Sequence, residues 1–250
     1  MGRPVNLVPA LNTTDMNKIR KNSVINGIKR GARLLPLCMV ALLGLLASCS
    51  ESTEEVEEYP DWQNYNATQW NQIYANASQR IAAGDTSWKI IKNWSLEDSL
   101  HTENTAYIVV HVLNEGTGSG SPLYTDSVRV HYTGWLLPST SYSSNGKGYQ
   151  FDTTLPTGTT EQTAAPAQFA VSTRTDGFST ALQNMHIGDE WEIYVPWTLG
   201  YGTSGSTNIP GYSVLIFDMK LMSYYRAGYD VPDFKAKRGW VTAESTDWDD

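Results

Sequence analysis

Cysteine is almost absent from this 250-residue sequence, with only Cys38 and Cys49 present. Beyond residue 49 there is none, which excludes disulfides, thiol nucleophiles and Cys-ligated metals from most of the chain. Histidine is scarce, at four residues, and none has a partner at metal-ligand spacing. There is no Ser-His-Asp arrangement, no Gly-x-Ser-x-Gly elbow, no P-loop and no dinucleotide fingerprint. No apolar run approaches the ~20 residues that span a bilayer. Phenylalanine is sparse too, at 5 against 14 Tyr and 9 Trp. The aromatic content is therefore weighted toward rings with polar tips, which suit half-exposed strands and binding surfaces.

What is present begins with a basic stretch, Lys18, Arg20, Lys21, Lys29, Arg30 and Arg33, followed by the apolar run Leu34 to Ala47. At roughly 14 residues, this run has the length of a signal-peptide core and not of a membrane span. Met16, just ahead of the basic stretch, reads as a more natural start than Met1. Leu46-Ala47-Ser48-Cys49 closes the run and resembles the lipobox of bacterial lipoproteins. That resemblance implies acylation of Cys49, removal of residues 1–48 and an address in the bacterial cell envelope, lipid-anchored to the outer membrane and facing the periplasm or the surface. Seven of the 18 basic residues but only one of the 26 acidic residues lie in 1–48, so the remainder carries 11 basic and 25 acidic residues, a net charge of −14. Such a surface repels phosphate, and no nucleic-acid partner is expected.

Residues 49–62 read as an acidic tether, since Ser50 to Glu58 has almost nothing to bury. Residues 63–104 read as a helical extension. Within it Trp70, Ile73, Tyr74, Ala77 and Ile81 form one stripe at helical spacing, ended by Gly84 and Asp85. The stripe is expected to pack against the next domain, and Trp88 to Trp94 to join the two. From about residue 105 the period changes to two. Tyr107–Val112, Val128–Thr133, Trp191–Val195 and Leu215–Leu221 read as strands, with a short one at Phe169 and Val171. A helix with Phe178, Ala181, Leu182 and Met185 on one face is closed by Gly188. The class is α+β over residues 105–224, followed by a polar tail, 225–250, with Tyr229, Pro232 and Trp240 as local anchors.

Five motifs then fall in order: Val130-His131-Tyr132-Thr133-Gly134; Phe151-Asp152-Thr153-Thr154; Gly177-Phe178 with Ala181-Leu182; Leu199-Gly200-Tyr201-Gly202 after Trp197; and Ile209-Pro210 before Val214-Leu215-Ile216-Phe217-Asp218. Together they resemble the FKBP family of peptidyl-prolyl isomerases. The resemblance implies a curved antiparallel β-sheet wrapped around a short α-helix, with an aromatic pocket between them. It implies catalytic roles for Tyr132, Asp152, Tyr201 and Phe217. Substrate would be held by Phe151, Phe178, Thr175, Trp197 and Ile209, with Phe178 as floor, Ile209 as flap and the Tyr201 hydroxyl aimed at the substrate carbonyl. The implied partners are proline-containing unfolded or exported polypeptides, with no cofactor or metal. An alternative is a binding or chaperone lipoprotein on the same fold with little catalysis. Its motives are Arg174-Thr175-Asp176 where the family often has an apolar pair, Ala167 in place of a wall aromatic, and a long Ser/Tyr/Gly loop between Gly134 and Phe151 that would cover or reshape the cleft.

Overall fold

The computed structural model describes residues 56–233. Cys49, the signal segment, most of the acidic tether and Trp240 lie outside them. The order of elements is α1 (Trp62–Ala82), β1 (Trp88–Lys92), β2 (Tyr107–Asn114), β3 (Ser127–Leu136), β4 (Gln150–Thr153), β5 (Ala167–Ala170), α2 (Asp176–Leu182), β6 (Glu190–Val195) and β7 (Leu215–Tyr225). Every strand pairing is antiparallel, in the order β1-β2-β6-β7-β3-β4, with β5 also paired to β3. The α+β expectation of a sheet with one short helix holds.

The sheet is buried on both faces near β2, where Ile108, Val109 and Val110 are all inaccessible to solvent. Helix α1 supplies the outer cover. Its Tyr74 ring meets Tyr107 edge-on at 6.1 Å, and its Arg80 guanidinium lies 5.3 Å from the Trp88 ring centre. Trp70 and Ala77 are buried beneath it, as the stripe requires, whereas Ile81 is 40% exposed at the end of the helix. The start of α1 is fixed by polar contacts across 151 and 148 residues of chain. Trp62 Nε1 donates to Ser213 Oγ at 2.9 Å, and Val214 N–H donates to Asn66 Oδ1 at 2.8 Å. Both side chains are buried, so each bond also removes the desolvation cost of an unpaired polar group.

Several boundaries differ from the sequence reading. The sheet starts at Trp88, not near residue 105, because Trp88–Lys92 is an edge strand whose five residues are all half-buried, leaving no alternation to read. Helix α2 ends at Leu182, and Met185 is buried just beyond it. Gly188, at φ 95°, serves the turn into β6 and not the helix end. Tyr229 is exposed and anchors nothing. The tail is held instead by Arg226, whose guanidinium pairs with the buried Asp126 carboxylate, and by Arg129, which donates to the Pro232 carbonyl.

At seven residues, α2 is too short to persist on propensity alone. Burial holds it: Phe178, Ala181 and Leu182 face the core, and Ser179 Oγ donates to the Val171 carbonyl at 2.8 Å. A Cβ at Gly177 would lie 2.3 Å from Val195 Cγ1, so the first turn is pressed directly onto β6.

Candidate functional site

Side chains two residues apart share a face of a strand. On β3, Val130, Tyr132, Gly134 and Leu136 therefore face the same way, opposite Leu221, Met219, Phe217 and Leu215 of β7. Tyr132 and Phe217 project from this face toward α2, and Phe178 rises from the helix to meet them. The Phe178 ring lies 5.1 Å from Phe217 and 5.5 Å from Tyr132, with interplanar angles of 89° and 83°. Phe151 of β4 meets Phe217 at 5.6 Å and 88°. These are edge-to-face contacts, which place the positive edge of one ring on the negative face of the next. Gly134 makes the cluster possible: a Cβ there would lie 2.6 Å from two carbons of the Phe151 ring and 2.9 Å from Phe217.

The rings enclose a cavity of about 170 Å³, lined by Tyr132, Phe151, Asp152, Thr173, Arg174, Thr175, Phe178, Tyr201 and Phe217. That is below the ~300–1,000 Å³ of pockets for drug-sized ligands and suits one compact side chain. Its polar groups sit at the edge. Tyr132 donates its hydroxyl to Asp152 Oδ2 at 2.5 Å, and Asp152 Oδ1 accepts from Thr153 N–H at 2.8 Å. Burial, and then the bond to Asp152, push the Tyr132 phenol far above the usual tyrosine range, so it stays a protonated donor at neutral pH. Tyr201, which also lines the cavity, is 40% exposed.

The structure thus brings Tyr132, Phe151, Asp152, Thr175, Phe178, Tyr201 and Phe217 to one hollow. Trp197 and Ile209 do not line it. Trp197 packs edge-on against Tyr212 at 5.2 Å. Ile209, buried, lines a separate groove with Tyr59, Tyr142 and Tyr149. The order of motifs carries no information on how the loop from Tyr201 to Tyr212 folds, and that loop turns Ile209 away. Arg174 lines the cavity, as its place where the family often has an apolar pair implied, and so does Thr173, which no motif or periodicity marked. The Arg174 guanidinium lies 4.4 Å from the Phe169 ring centre, and Phe169 meets Phe178 at 5.8 Å, so the rim beside the floor is cationic. The long β3–β4 loop does not cover the cavity. Its Asn145-Gly146 turn, both residues at positive φ, sends Lys147 onto Asp218 at 2.7 Å and Glu192 at 3.0 Å.

Behind Tyr132, the opposite face of β3 buries His131. Its Nδ1 lies 3.2 Å from Thr154 Oγ1, which also accepts from Tyr132 N–H at 2.9 Å; its Nε2 has no partner among the described residues. A hollow beside it is lined by Glu161, Glu190, Asp218 and Lys220, with Lys220 bridging Glu161 and Glu190. Such a charged wall does not suit an apolar ligand. Burial lowers the His131 pKa below 6.5, against the opposing pull of Glu161. The folded state therefore takes up this proton less readily than the unfolded chain does. Its stability is complete above about pH 6.5 and falls as the pH drops below that value. Thermal melts are expected to fall between pH 7.5 and pH 5.5, and His131→Gln is expected to flatten that fall. An equally steep fall in the variant would assign the acid sensitivity to other groups.

Residues 118–222 match the family model described as FKBP-type peptidyl-prolyl cis-trans isomerase. The chain is 37% identical over 112 residues to an FKBP-type 22 kDa peptidyl-prolyl cis-trans isomerase of Escherichia coli, covering 44% of this chain and 47% of that protein. It is 35% identical over 117 residues to the outer membrane protein MIP of Legionella longbeachae, covering 46% and 43% respectively. The chain thus spans about half the length of these relatives. A crystal structure of a peptidyl-prolyl cis-trans isomerase from Pseudomonas syringae pv. tomato aligns at a TM-score of 0.45 and 21% identity, over 66% of this chain and 96% of that one.

Proposed function

We propose that this chain, whose residues 118–222 belong to the FKBP-type peptidyl-prolyl cis-trans isomerase family, catalyses cis–trans exchange of X–Pro bonds in exported polypeptides. The observation that carries the reading is the convergence of five aromatic rings, from β3, β4, α2, β7 and the loop after β6, on one small cavity that two phenol hydroxyls and a carboxylate also line.

An X–Pro bond rotates over a barrier of ~18–20 kcal/mol because the planar amide must give up its resonance. The twisted state separates less charge than the planar one, so an apolar cavity favours it relative to water. Phe178 meets the prolyl ring from below, while Tyr132, Phe151 and Phe217 wall it in. Asp152 holds the Tyr132 hydroxyl in place, and the Tyr201 hydroxyl donates to the carbonyl of the rotating amide. Only contacts that strengthen on twisting accelerate the reaction. An acceleration of about 10⁶ needs ~8 kcal/mol of such preference, shared among desolvation, fit and these hydrogen bonds.

The full chain is expected to speed isomerisation of a proline tetrapeptide in a protease-free assay, well above the uncatalysed rate. One observation favours a second reading, a binding module with little turnover: Arg174, Thr173 and Thr175 make the lining of the cavity more polar. A background rate together with intact peptide binding selects that reading over catalysis.

The proposed setting is the bacterial envelope, with lipid on Cys49 as anchor. The support lies in the basic stretch, the short apolar run and the lipobox-like ending, alongside a relative named as an outer membrane protein. Cys49→Ala is expected to move the protein from the membrane pellet to the soluble fraction and to abolish the acyl mass on the peptide beginning at residue 49. A wild-type peptide without that mass would refute the anchor.

A further inference from the structure

Beside the aromatic cavity lies a larger groove of about 420 Å³, lined by Tyr59, Tyr142, Tyr149, Asn208, Ile209 and Pro210 together with three small hydroxyl residues. Among the described residues, no charged side chain lines it. Its two sides continue the walls of the cavity. Tyr149, which lines the groove, precedes Phe151, which lines the cavity, by two residues, with a register shift of β4 against β3 at that point. On the other side, the loop that places Tyr201 in the cavity turns back at once, with Gly205 N–H donating to the Tyr201 carbonyl at 3.1 Å, and brings Ser204 and Ser206 into the groove.

The groove is also preformed. Ser206 and Ile209 exchange backbone hydrogen bonds at 2.8 and 3.1 Å. The N-terminal segment is pinned to the β3–β4 loop: Thr140 N–H donates to the Glu58 carbonyl at 3.2 Å, Thr140 Oγ1 donates to the Glu57 carbonyl at 2.9 Å, and the Glu58 carboxylate accepts from Ser141 N–H at 3.1 Å. Tyr142 and Tyr149 stand edge-to-face at 5.1 Å. A rigid, ring-lined channel loses little conformational entropy when an extended chain enters it, and tyrosine-lined grooves accept extended or polyproline segments by stacking on their side chains.

We infer that this groove holds a stretch of substrate polypeptide that flanks the isomerised proline, and that it selects uncharged segments bearing aromatic or proline side chains. The inference rests on the isomerase reading for the role of the cavity but adds a substrate preference set by the N-terminal segment and the β3–β4 loop.

The test uses the full chain with a blocked proline tetrapeptide and two longer forms, extended by four uncharged, tyrosine-containing residues at one end or the other. Both kcat/KM and Kd are measured. Wild type is expected to favour one extended form about tenfold over the tetrapeptide. Tyr142→Ala is expected to remove that gain while leaving the tetrapeptide unchanged; Tyr142 is 45% exposed, so its loss leaves the core intact. Equal values for all three peptides in wild type would overturn the inference, as would a gain that survives in Tyr142→Ala or a variant that loses the short and long peptides alike. A gain that vanishes as protein concentration rises would assign the groove to a second copy of the chain and also overturn it. Should no peptide be turned over, the isomerase reading fails alone, and the Kd ratio of long to short peptide still decides the groove.

Discussion

Phe178→Ala is expected to lower the melting temperature by about 10 °C and to abolish most isomerase activity. The ring is 5% exposed and packs against Tyr132, Phe169 and Phe217 at centroid distances of 5.1–5.8 Å. Truncating such a side chain loses its transfer free energy and leaves a cavity, together worth about 3–5 kcal/mol. In a domain of this size each kcal/mol moves the melt by roughly 2–4 °C. The loss is unusually severe here because the core and the site share this ring. Without the floor, Tyr132 and Phe217 have nothing to stand against, and a wall displaced by about 1 Å can cost ~100-fold in rate. Phe178→Leu separates the two effects: it fills most of the volume, and so is expected to recover much of the stability, but it cannot restore the edge-to-face contacts. Scanning calorimetry and the peptide assay, both below the variant's melting point, make the measurement. An Ala variant that melts within about 2 °C of wild type, or turns over at a similar rate, would place Phe178 outside the site.

What the sequence made legible follows from the physics of each element. Strand β6 buries alternate residues, and β3 and β7 alternate apolar with polar side chains even where β3 buries Arg129 and His131 on its second face, so their period was readable, and with it the placement of Tyr132 and Phe217. Strand β2 showed apolar residues at both parities, and the reason is α1, which covers the face that would otherwise meet water. Strand β1 gave no period because it lies at an edge under α1, with all five residues half-buried. Six of the seven residues that converge on the cavity come from motifs whose order alone placed them, and Thr175 stands just ahead of the Gly177-Phe178 motif. Trp197 and Ile209 came from the same motifs and yet lie elsewhere, because their positions depend on the path of an irregular loop. The neighbouring groove was invisible for a further reason. Tyr59 and Tyr142 are more than 80 residues apart, and each by itself reads as an ordinary exposed tyrosine. They meet only because hydrogen bonds from Thr140 and Ser141 fasten the two segments together.

Gly134→Ala should remove activity while sparing more of the fold than Phe178→Ala does. The glycine lies in the middle of β3, where a side chain would ordinarily favour the strand by restricting the unfolded chain. Its absence is explained by what a methyl would strike: two carbons of Phe151 at 2.6 Å and one of Phe217 at 2.9 Å. Ordinary carbon contacts lie near 3.5–4.0 Å, so both rings must retreat by about 1 Å. Phe217 is buried at 4% exposure and already meets Tyr132, Phe151 and Phe178, so it has little room behind it. Phe151 is half-buried on a four-residue edge strand, so it is the ring that yields, and the cavity wall it forms moves with it. Overpacking of this kind costs about 1–3 kcal/mol, which a stable domain survives. The isomerisation rate is expected to fall about 100-fold, and the advantage of extended peptides is expected to fall with it, since Tyr149 stands two residues from the displaced ring. A Gly134→Ala variant with native catalysis would mean that Phe151 can move freely without consequence, and that the tight enclosure of the prolyl ring by aromatic walls is not what lowers the barrier.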